Sequence, residues 1–406
     1  MKKKIALIGK TLKHSYSKII HNLMADYLYD LVEVSPDKLQ EFAINGGYDG
    51  YNVTIPYKKD IMPYLDQIDE FARLIGAVNT VVVKDGKRKG YNTDFRGMTY
   101  ALARAGISVK DKNVLILGSG GTSNTAQAVT THLGAKTVNV VSRSGEINYD
   151  NCYEQKDSNI IINTTPVGMY PNNYERVIDL SRFPVLEGVF DAIYNPYLTE
   201  FLYQAKELGL KYTDGLPMLV AQAKYAMEIF LETTCGEDVI ESVLEKIRKQ
   251  TKNVVLIGMP GSGKTTIGKR LAEILDKEFI DTDCKIVEKD GRDIPSIFSE
   301  SGEDYFRNLE REVLKEVGKL SGKVIATGGG VVKNKGNYFP LKQNADIVWI
   351  KRPLDKLSTD GRPLSKDGKL DKLYQERKDL YLQFSDYSVE NTGEIENAVK
   401  GVIDIL

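Results

Sequence analysis

Gly258-Met259-Pro260-Gly261-Ser262-Gly263-Lys264-Thr265 matches the pattern G-x-x-x-x-G-K-[ST] in full. In such a loop backbone N–H groups cradle phosphates, the lysine reaches the terminal ones and the hydroxyl ligates Mg²⁺. An apolar strand over 254–257 precedes the loop and a helix over 266–275 follows it, which is the setting the motif needs. The pattern therefore assigns Gly261, Ser262, Gly263, Lys264, Thr265 and Thr266 to ATP, with Thr265 also on the metal. A glycine loop that binds nothing is the bland alternative to so complete a match.

A second glycine turn comes earlier in the chain. The apolar run Asn113–Leu117 leads into Gly118-Ser119-Gly120-Gly121-Thr122-Ser123, and a helix is expected from about Asn124. Such a turn lets backbone N–H groups approach a pyrophosphate at a helix N-terminus, although by itself it fits a plain tight turn equally well. The next strand, Thr137–Val141, ends in Ser142-Arg143-Ser144. An NAD site usually has Asp or Glu there to hold the ribose 2′-hydroxyl. An arginine between hydroxyls suits a 2′-phosphate instead, so NADP is favoured over NAD.

At 406 residues, two or three domains are expected. Apolar content of 42% and charged content of 27% are those of a soluble globular protein. The net charge of -1 gives no reason to expect nucleic acid or an anionic membrane as partner. Cys152, Cys235 and Cys284 are far apart and form no metal-binding cluster, so reduced structural thiols are expected. After Met1-Lys2-Lys3-Lys4 the apolar run 5–8 stops at Gly9-Lys10, too short for a signal sequence. No stretch approaches the ~20 apolar residues of a membrane span, and a cytoplasmic protein is expected.

Strands at Lys4–Gly9, 78–83, Asn113–Leu117, Thr137–Val141, 159–163 and 188–192 alternate with amphipathic helices, which points to parallel α/β units. Near 250 a charged helix pattern gives way to Gln250-Thr251-Lys252-Asn253, which has no core pattern. A linker is placed at 248–252, and a nucleotide-binding unit of strand–helix alternation at 253–406.

Four polar clusters precede the first glycine turn: His14-Ser15-Tyr16-Ser17, Asn52-Val53-Thr54-Ile55-Pro56-Tyr57-Lys58, Gly76-Ala77-Val78-Asn79-Thr80 and Gly90-Tyr91-Asn92-Thr93-Asp94. Singly, each could be a turn or a cap. Together with Asn163-Thr164-Thr165-Pro166-Val167-Gly168-Met169, Asp191-Ala192-Ile193-Tyr194-Asn195-Pro196 and Gly215-Leu216-Pro217-Met218-Leu219-Val220-Ala221-Gln222, they resemble shikimate dehydrogenase in consistent order over about 1–245. The resemblance implies a two-lobed α/β enzyme. Its substrate lobe would comprise 1–100 plus about 214–247, and its Rossmann NADP-binding domain 101–213. It implies Ser15 and Ser17 on the substrate carboxylate, and Thr54, Asn79, Tyr194 and Gln222 on ring hydroxyls. Lys58 and Asp94 would be the catalytic pair, Asp94 also touching substrate. Gly118, Ser119, Gly120, Gly121, Thr122, Ser142, Arg143, Ser144 and Gly215 would line the cofactor. Reducing a ring ketone needs a hydride and a proton, and Lys58 can supply the proton with Asp94 orienting it. A surface salt bridge is the alternative for that pair. Lys18, Ser142-Arg143-Ser144 and Asp214 depart from the usual family pattern, where Pro, Asn-Arg-Thr and Gly are commoner.

Downstream of the phosphate loop, Phe279-Ile280-Asp281-Thr282-Asp283 places two carboxylates at a strand end. Asp281 suits the metal shell and Asp283 an acceptor hydroxyl. Phe306-Arg307-Asn308-Leu309-Glu310, Ala326-Thr327-Gly328-Gly329-Gly330, Gly361-Arg362-Pro363-Leu364, and Arg377 with Tyr381 follow. This series resembles shikimate kinase over 253–406, a P-loop domain with a parallel sheet. It implies that Asp283, Arg307, Gly329 and Arg377 bind shikimate, the arginines gripping its carboxylate. Arg362 would sit in a catalytic lid over ATP, and the segment from Lys351 to Arg362 looks short for that lid.

The two resemblances together imply a bifunctional enzyme of small-molecule substrates that takes 3-dehydroshikimate to shikimate with NADPH, then to shikimate 3-phosphate with ATP and Mg²⁺. Two alternatives stay open: a quinate/shikimate dehydrogenase using NAD fused to the kinase, and a regulatory protein that binds the ligands without turnover. Oligomeric state is not legible in the sequence.

Overall fold

The computed structural model describes residues 2–12, 16–357 and 369–406. The chain divides into two compact units, Met1–Ile247 and Arg248–Leu406.

In the first unit the chain runs β1 (Lys4–Gly9), α1 (Ser17–Met24), β2 (Leu28–Glu33), α2 (Leu39–Asn45), β3 (Gly50–Val53), β4 (Gln67–Ile68), α3 (Glu70–Ile75), β5 (Thr80–Lys84), β6 (Lys87–Tyr91) and α4 (Asp94–Arg104). Six strands pair in the order β2-β1-β3-β5-β6-β4. β1 is continuously apolar because both its faces are covered. Ile5 and Leu7 pack with Phe230 and Met227, whereas Ala6 and Ile8 pack with Tyr51 and Val53. The sheet is not built from parallel units alone: β5 runs antiparallel to both β3 and β6. The cause is local. Asp85 and Gly86 both take positive φ, 51° and 74°, and turn β5 into β6 as a tight hairpin.

The unit continues with β7 (Asn113–Leu117), α5 (Gly121–His132), β8 (Thr137–Val141), β9 (Ile160–Asn163), β10 (Gly188–Asp191), α6 (Glu200–Glu207), β11 (Lys211–Thr213), α7 (Leu216–Leu231) and α8 (Asp238–Thr251). Its second sheet is wholly parallel, in the order β11-β10-β9-β7-β8. Alternate residues of β7 enter opposite cores, Val114 and Ile116 on one face and Leu115 and Leu117 on the other. The chain leaves β7 for β8 on one side and returns to β9 on the other. That reversal opens a crevice at the carboxyl ends of the strands, where α/β sheets bind ligands.

α8 carries the apolar stripe Ile240, Val243, Leu244 and Ile247 and extends to Thr251. The linker expected at 248–252 is therefore helical through Thr251. Its first residues finish the helix, and Asn253 already begins the next strand. A helix whose last turn needs no buried face shows no core pattern there.

The second unit holds β12 (Asn253–Ile257), α9 (Lys264–Leu275), β13 (Glu278–Asp281), α10 (Thr282–Asp290), α11 (Ile294–Val317), β14 (Lys323–Ala326), α12 (Tyr338–Lys342), β15 (Ala345–Lys351), α13 (Lys369–Phe384), β16 (Tyr387–Glu390) and α14 (Ile395–Ile405). Its parallel sheet has the order β13-β14-β12-β15-β16. Val255 and Ile257 face one core and Val254 and Leu256 the other, so the strand feeding the phosphate loop is central and buried on both sides. Among the described residues, no helix is long and apolar enough to cross a membrane.

Candidate active sites

Lys58 lies in the turn after β3 and Asp94 opens α4, yet Lys58 Nζ is 2.6 Å from Asp94 Oδ2. Their side chains are only 24% and 12% exposed, against 57% and 84% for the surface pair Lys2–Asp26. A pair so sheltered interacts more strongly than an exposed one. Beside it, Thr93 N donates to Asn79 Oδ1 (2.8 Å), Asn79 Nδ2 to Thr93 Oγ1 (3.0 Å) and Thr93 Oγ1 to Gln222 Oε1 (3.3 Å). The structure thus brings Lys58, Asp94, Asn79 and Gln222 to one place. Thr54 enters the same loop as Lys58, its N–H donating to Ile8 O at 2.9 Å. Ser17 begins α1 and is buried, and the ring of its neighbour Tyr16 lies 5.3 Å from that of Tyr194. Burial holds the Tyr194 phenol protonated by raising its pKa. Ser15 lies outside the described residues.

At the carboxyl end of β7, Gly118 adopts φ +102°, and a Cβ there would come within 2.8 Å of Thr164 Oγ1. α5 starts at Gly121 rather than near Asn124. Gly121, Thr122 and Ser123 form its first turn, whose N–H groups need no helical partner. Ser119, Gly120, Gly121 and Thr122 accordingly stand at a helix N-terminus, an electropositive end suited to an anion. Gly118 N donates to Val141 O at 2.8 Å, which sets the Ser142-Arg143-Ser144 turn next to the glycine turn, with Arg143 exposed. Gly215 is the N-cap of α7, and Asp214 Oδ1 accepts from Leu216 N at 2.7 Å, so the aspartate at this unusual position turns the chain into the helix.

Sequence reasoning gave Asp191 no role. It is wholly buried, accepts from Thr199 Oγ1 (2.7 Å), Asn163 Nδ2 (3.0 Å) and Ile193 N (3.1 Å), and burial pushes its carboxyl up to about 7. Asn163 Oδ1 in turn accepts from Thr165 N (3.0 Å) and Thr165 Oγ1 (2.7 Å), which fixes the turn that backs Gly118.

In the second unit, Gly258, Gly261 and Gly263 take φ of +146°, +81° and +96°, and wrap the phosphate loop around the start of α9. Lys264 Nζ donates to the carbonyls of Gly258 and Met259, both at 2.9 Å, which braces it along the loop. Thr265 Oγ1 donates to Asp281 Oδ2 (2.9 Å), and Asp281 Oδ1 accepts from Asp283 N (3.0 Å). One hydroxyl and one carboxylate oxygen therefore stand close enough to touch a single hard cation. Thr266 follows in the first turn of α9.

The segment Gly328-Gly329-Gly330 joins the remaining parts. A Cβ at each would come within 2.7 Å of Asp283 Oδ1, 2.6 Å of Pro260 Cδ and 2.6 Å of Arg307 Nη2 respectively. Only glycine lets these groups close in. Arg377 Nη1 (2.9 Å) and Tyr381 Oη (2.5 Å) both donate to Gly329 O from α13. Glu310, another residue without an assigned role, is buried and accepts from Arg307 Nη1 at 3.0 Å. Burial raises its pKa and the Arg307 charge opposes the rise. It could have been found: it lies three residues past Arg307, on the same helical face. Arg362 lies outside the described residues.

Comparison with known proteins agrees with this geometry. The family model for the shikimate dehydrogenase substrate binding domain matches residues 7–81, and that for shikimate kinase matches 260–406. The shikimate dehydrogenase (NADP(+)) of Caldicellulosiruptor saccharolyticus is 39% identical over 281 residues, covering 61% of this chain and 99% of that protein. The chain belongs to the shikimate dehydrogenase family. It carries a shikimate kinase domain behind the dehydrogenase and is a bifunctional enzyme of the shikimate pathway. The solved chorismate mutase/shikimate 5-dehydrogenase fusion protein from Clostridium acetobutylicum is 35% identical, with a TM-score of 0.59 over 61% of this chain and 98% of that one. Shikimate 5-dehydrogenase from Listeria monocytogenes, solved with shikimate and NAD, is 30% identical with a TM-score of 0.55, over 60% and 96%.

Proposed function

We propose that the first unit reduces 3-dehydroshikimate to shikimate with NADPH and that the second phosphorylates shikimate to shikimate 3-phosphate with ATP and Mg²⁺. The observation that carries this reading is the sheltered 2.6 Å Lys58–Asp94 contact beside the Asn79–Thr93–Gln222 cluster. On this reading residues 1–100 with about 214–247 form the substrate lobe, 101–213 the dinucleotide domain and 253–406 the kinase.

Bound NADPH supplies the hydride. Lys58 gives a proton, or a strong hydrogen bond, to the oxygen on which negative charge develops, and Asp94 holds the ammonium in line. The Thr54 and Tyr194 hydroxyls and the Asn79 and Gln222 amides bind the ring hydroxyls, and Ser17 with Ser15 binds the carboxylate. The helix N-terminus from Ser119 to Thr122 receives the pyrophosphate. Arg143, flanked by Ser142 and Ser144, receives the 2′-phosphate, and Gly215 lets α7 approach the cofactor.

Bound ATP supplies the phosphoryl group. Lys264, with the N–H groups of Gly261, Ser262, Gly263, Thr265 and Thr266, neutralises and orients the phosphates. Thr265 and Asp281 would hold Mg²⁺, their oxygens being the hard donors it prefers. Asp283 accepts the hydroxyl proton of shikimate while Arg307 and Arg377 grip its carboxylate beside Gly329. By the kinase resemblance, Arg362 would stabilise charge on the transferring phosphate.

A second reading, NAD in place of NADP, draws support from the NAD complex of the Listeria relative. Initial rates with NADPH and NADH on the full chain separate the two. Arg143 predicts a preference for NADPH, lost in Arg143→Ala; equal rates before and after that change would overturn the assignment.

A further inference from the structure

The polar groups behind the dehydrogenase site form one connected network, cross-linked by contacts of Thr93 Oγ1 with Thr80 Oγ1 (3.3 Å) and Asn79 Oδ1 (3.2 Å). Tyr29 Oη donates to Asn52 Oδ1 (2.8 Å) and Asn52 Nδ2 to Thr80 Oγ1 (3.0 Å). Thr80 Oγ1 donates to Asn79 Oδ1 (3.1 Å), Asn79 Nδ2 to Thr93 Oγ1 (3.0 Å) and Thr93 Oγ1 to Gln222 Oε1 (3.3 Å). The series ends where Gln222 Nε2 donates to Leu219 O (2.9 Å). Every member is buried, and Thr80 is fully so. The start is fixed by packing: His21 stacks on Tyr29 with ring centroids 4.1 Å apart.

Each hydroxyl in the series has one hydrogen to give, and each amide one oxygen and two N–H groups. Thr80 accepts from Asn52, so its hydrogen is free for Asn79 Oδ1. That oxygen also accepts from the Thr93 backbone N–H, a donor that cannot reverse, so exchanging it with Nδ2 would set N–H against N–H. Asn79 Nδ2 spends one hydrogen on Thr93, whose own hydroxyl reaches both Gln222 Oε1 (3.3 Å) and Asn79 Oδ1 (3.2 Å). This fixes Gln222 likewise, because its Nε2 already serves Leu219 O. Asn52 is used up internally, its amide nitrogen donating also to Asn79 O at 3.3 Å. One N–H remains over on Asn79 and one on Gln222.

We propose that Tyr29, Asn52, Thr80 and Thr93 are positioning residues that lock both amides in one orientation, so that the substrate hydroxyls at Asn79 and Gln222 are met by N–H donors. This rests on the reading of Asn79 and Gln222 as ring-hydroxyl ligands. Those hydroxyls then bind as acceptors, and their own hydrogens go to other oxygens, for which the Asp94 carboxylate and the Thr54 hydroxyl are suited. A substrate with a carbonyl at such a position keeps the contact, whereas one lacking oxygen there strands a buried N–H.

The test uses the full-length chain and the KM for 3-dehydroshikimate. Thr80→Val keeps the side-chain shape and removes the hydroxyl. It should raise KM about tenfold, the worth of roughly one buried hydrogen bond, with kcat nearly unchanged. Thr80→Ser should restore KM to within about twofold, and shikimate phosphorylation by the same preparation should stay at the parent rate. Tyr29→Phe deletes only the first donor and should raise KM about threefold, which keeps the test open if Thr80→Val folds poorly. Asn79→Ala separates the two ways of failing. If Asn79→Ala raises KM while Thr80→Val and Tyr29→Phe do not, the relay is wrong and the ligand reading stands. If Asn79→Ala also leaves KM unchanged, both fall.

Discussion

Gly215→Ala is the substitution whose effect the structure sizes most directly. A Cβ at that position would lie 2.1 Å from Ala192 O, 2.6 Å from its carbonyl carbon and 3.2 Å from its Cα. All three atoms are backbone, so no side chain can swing away. Relief requires the start of α7 and the 191–194 segment to part by about 1 Å, because overpacked backbone yields by shifting. The two segments carry Gln222 and Tyr194, and Gly215 N donates to Ile193 O at 2.9 Å, a bond that the same movement stretches. A displacement of about 1 Å at positioning groups costs on the order of 10²-fold in rate, and overpacking of this kind costs about 1–3 kcal/mol in stability. The assay is kcat/KM for 3-dehydroshikimate with NADPH, read beside the phosphorylation rate of the same preparation. Ketone reduction should fall about a hundredfold while phosphorylation holds. A variant within about threefold of the parent in kcat/KM, with an unchanged melting profile, would refute the reasoning.

Other expectations follow from the same geometry. Lys58→Ala should cut ketone reduction by about 10²-fold or more and spare the kinase, and Lys264→Ala should do the reverse; loss of both activities from either change contradicts separate sites. Glu310→Gln leaves Arg307 with Glu303 as its remaining carboxylate among the described residues. It should raise the KM for shikimate in the kinase assay by about tenfold, as expected when a charged hydrogen bond is weakened; an unchanged KM would show that Arg307 is held otherwise. Asp191 has its folded pKa raised from 3.8 to about 7. Its unfolded form therefore releases the proton first, and the stability contribution is full below about pH 4 and lost as pH rises through about 7. The shift corresponds to at most about 4 kcal/mol. The dehydrogenase melting midpoint should drop between pH 5 and pH 8 in the parent and drop less in Asp191→Asn; equal drops would remove Asp191 as the cause.

Much of the fold could be read from sequence where both faces of a strand are covered. Asn113–Leu117 is such a strand, apolar after its first residue and buried; Thr137–Val141 is a half-exposed edge strand that its three valines still marked, and both strands have those bounds. β2 escaped because it is an edge strand with one fully buried residue, Tyr29, so its alternation is faint. β6 reads Lys-Arg-Lys-Gly-Tyr and has no apolar pattern, although the Asp85-Gly86 turn before it was a usable hairpin signal. The site was legible in its residue types but not in its contacts. Spacing alone does not join Lys58 to Asp94 across 36 positions; the family resemblance paired them, and the fold brings the end of β3 to the start of α4. Thr93 and Glu310 stood inside quoted motifs without a role, since a side chain that works by holding another carries no chemical signature of its own.

The central claim is that one chain performs two consecutive reactions. The most direct measurement is mass spectrometry of the products formed by the purified full-length protein from 3-dehydroshikimate, NADPH, ATP and Mg²⁺. The account predicts shikimate 3-phosphate, with shikimate alone when ATP is left out. Unchanged 3-dehydroshikimate in the complete mixture, or no phosphorylation of added shikimate, would contradict it.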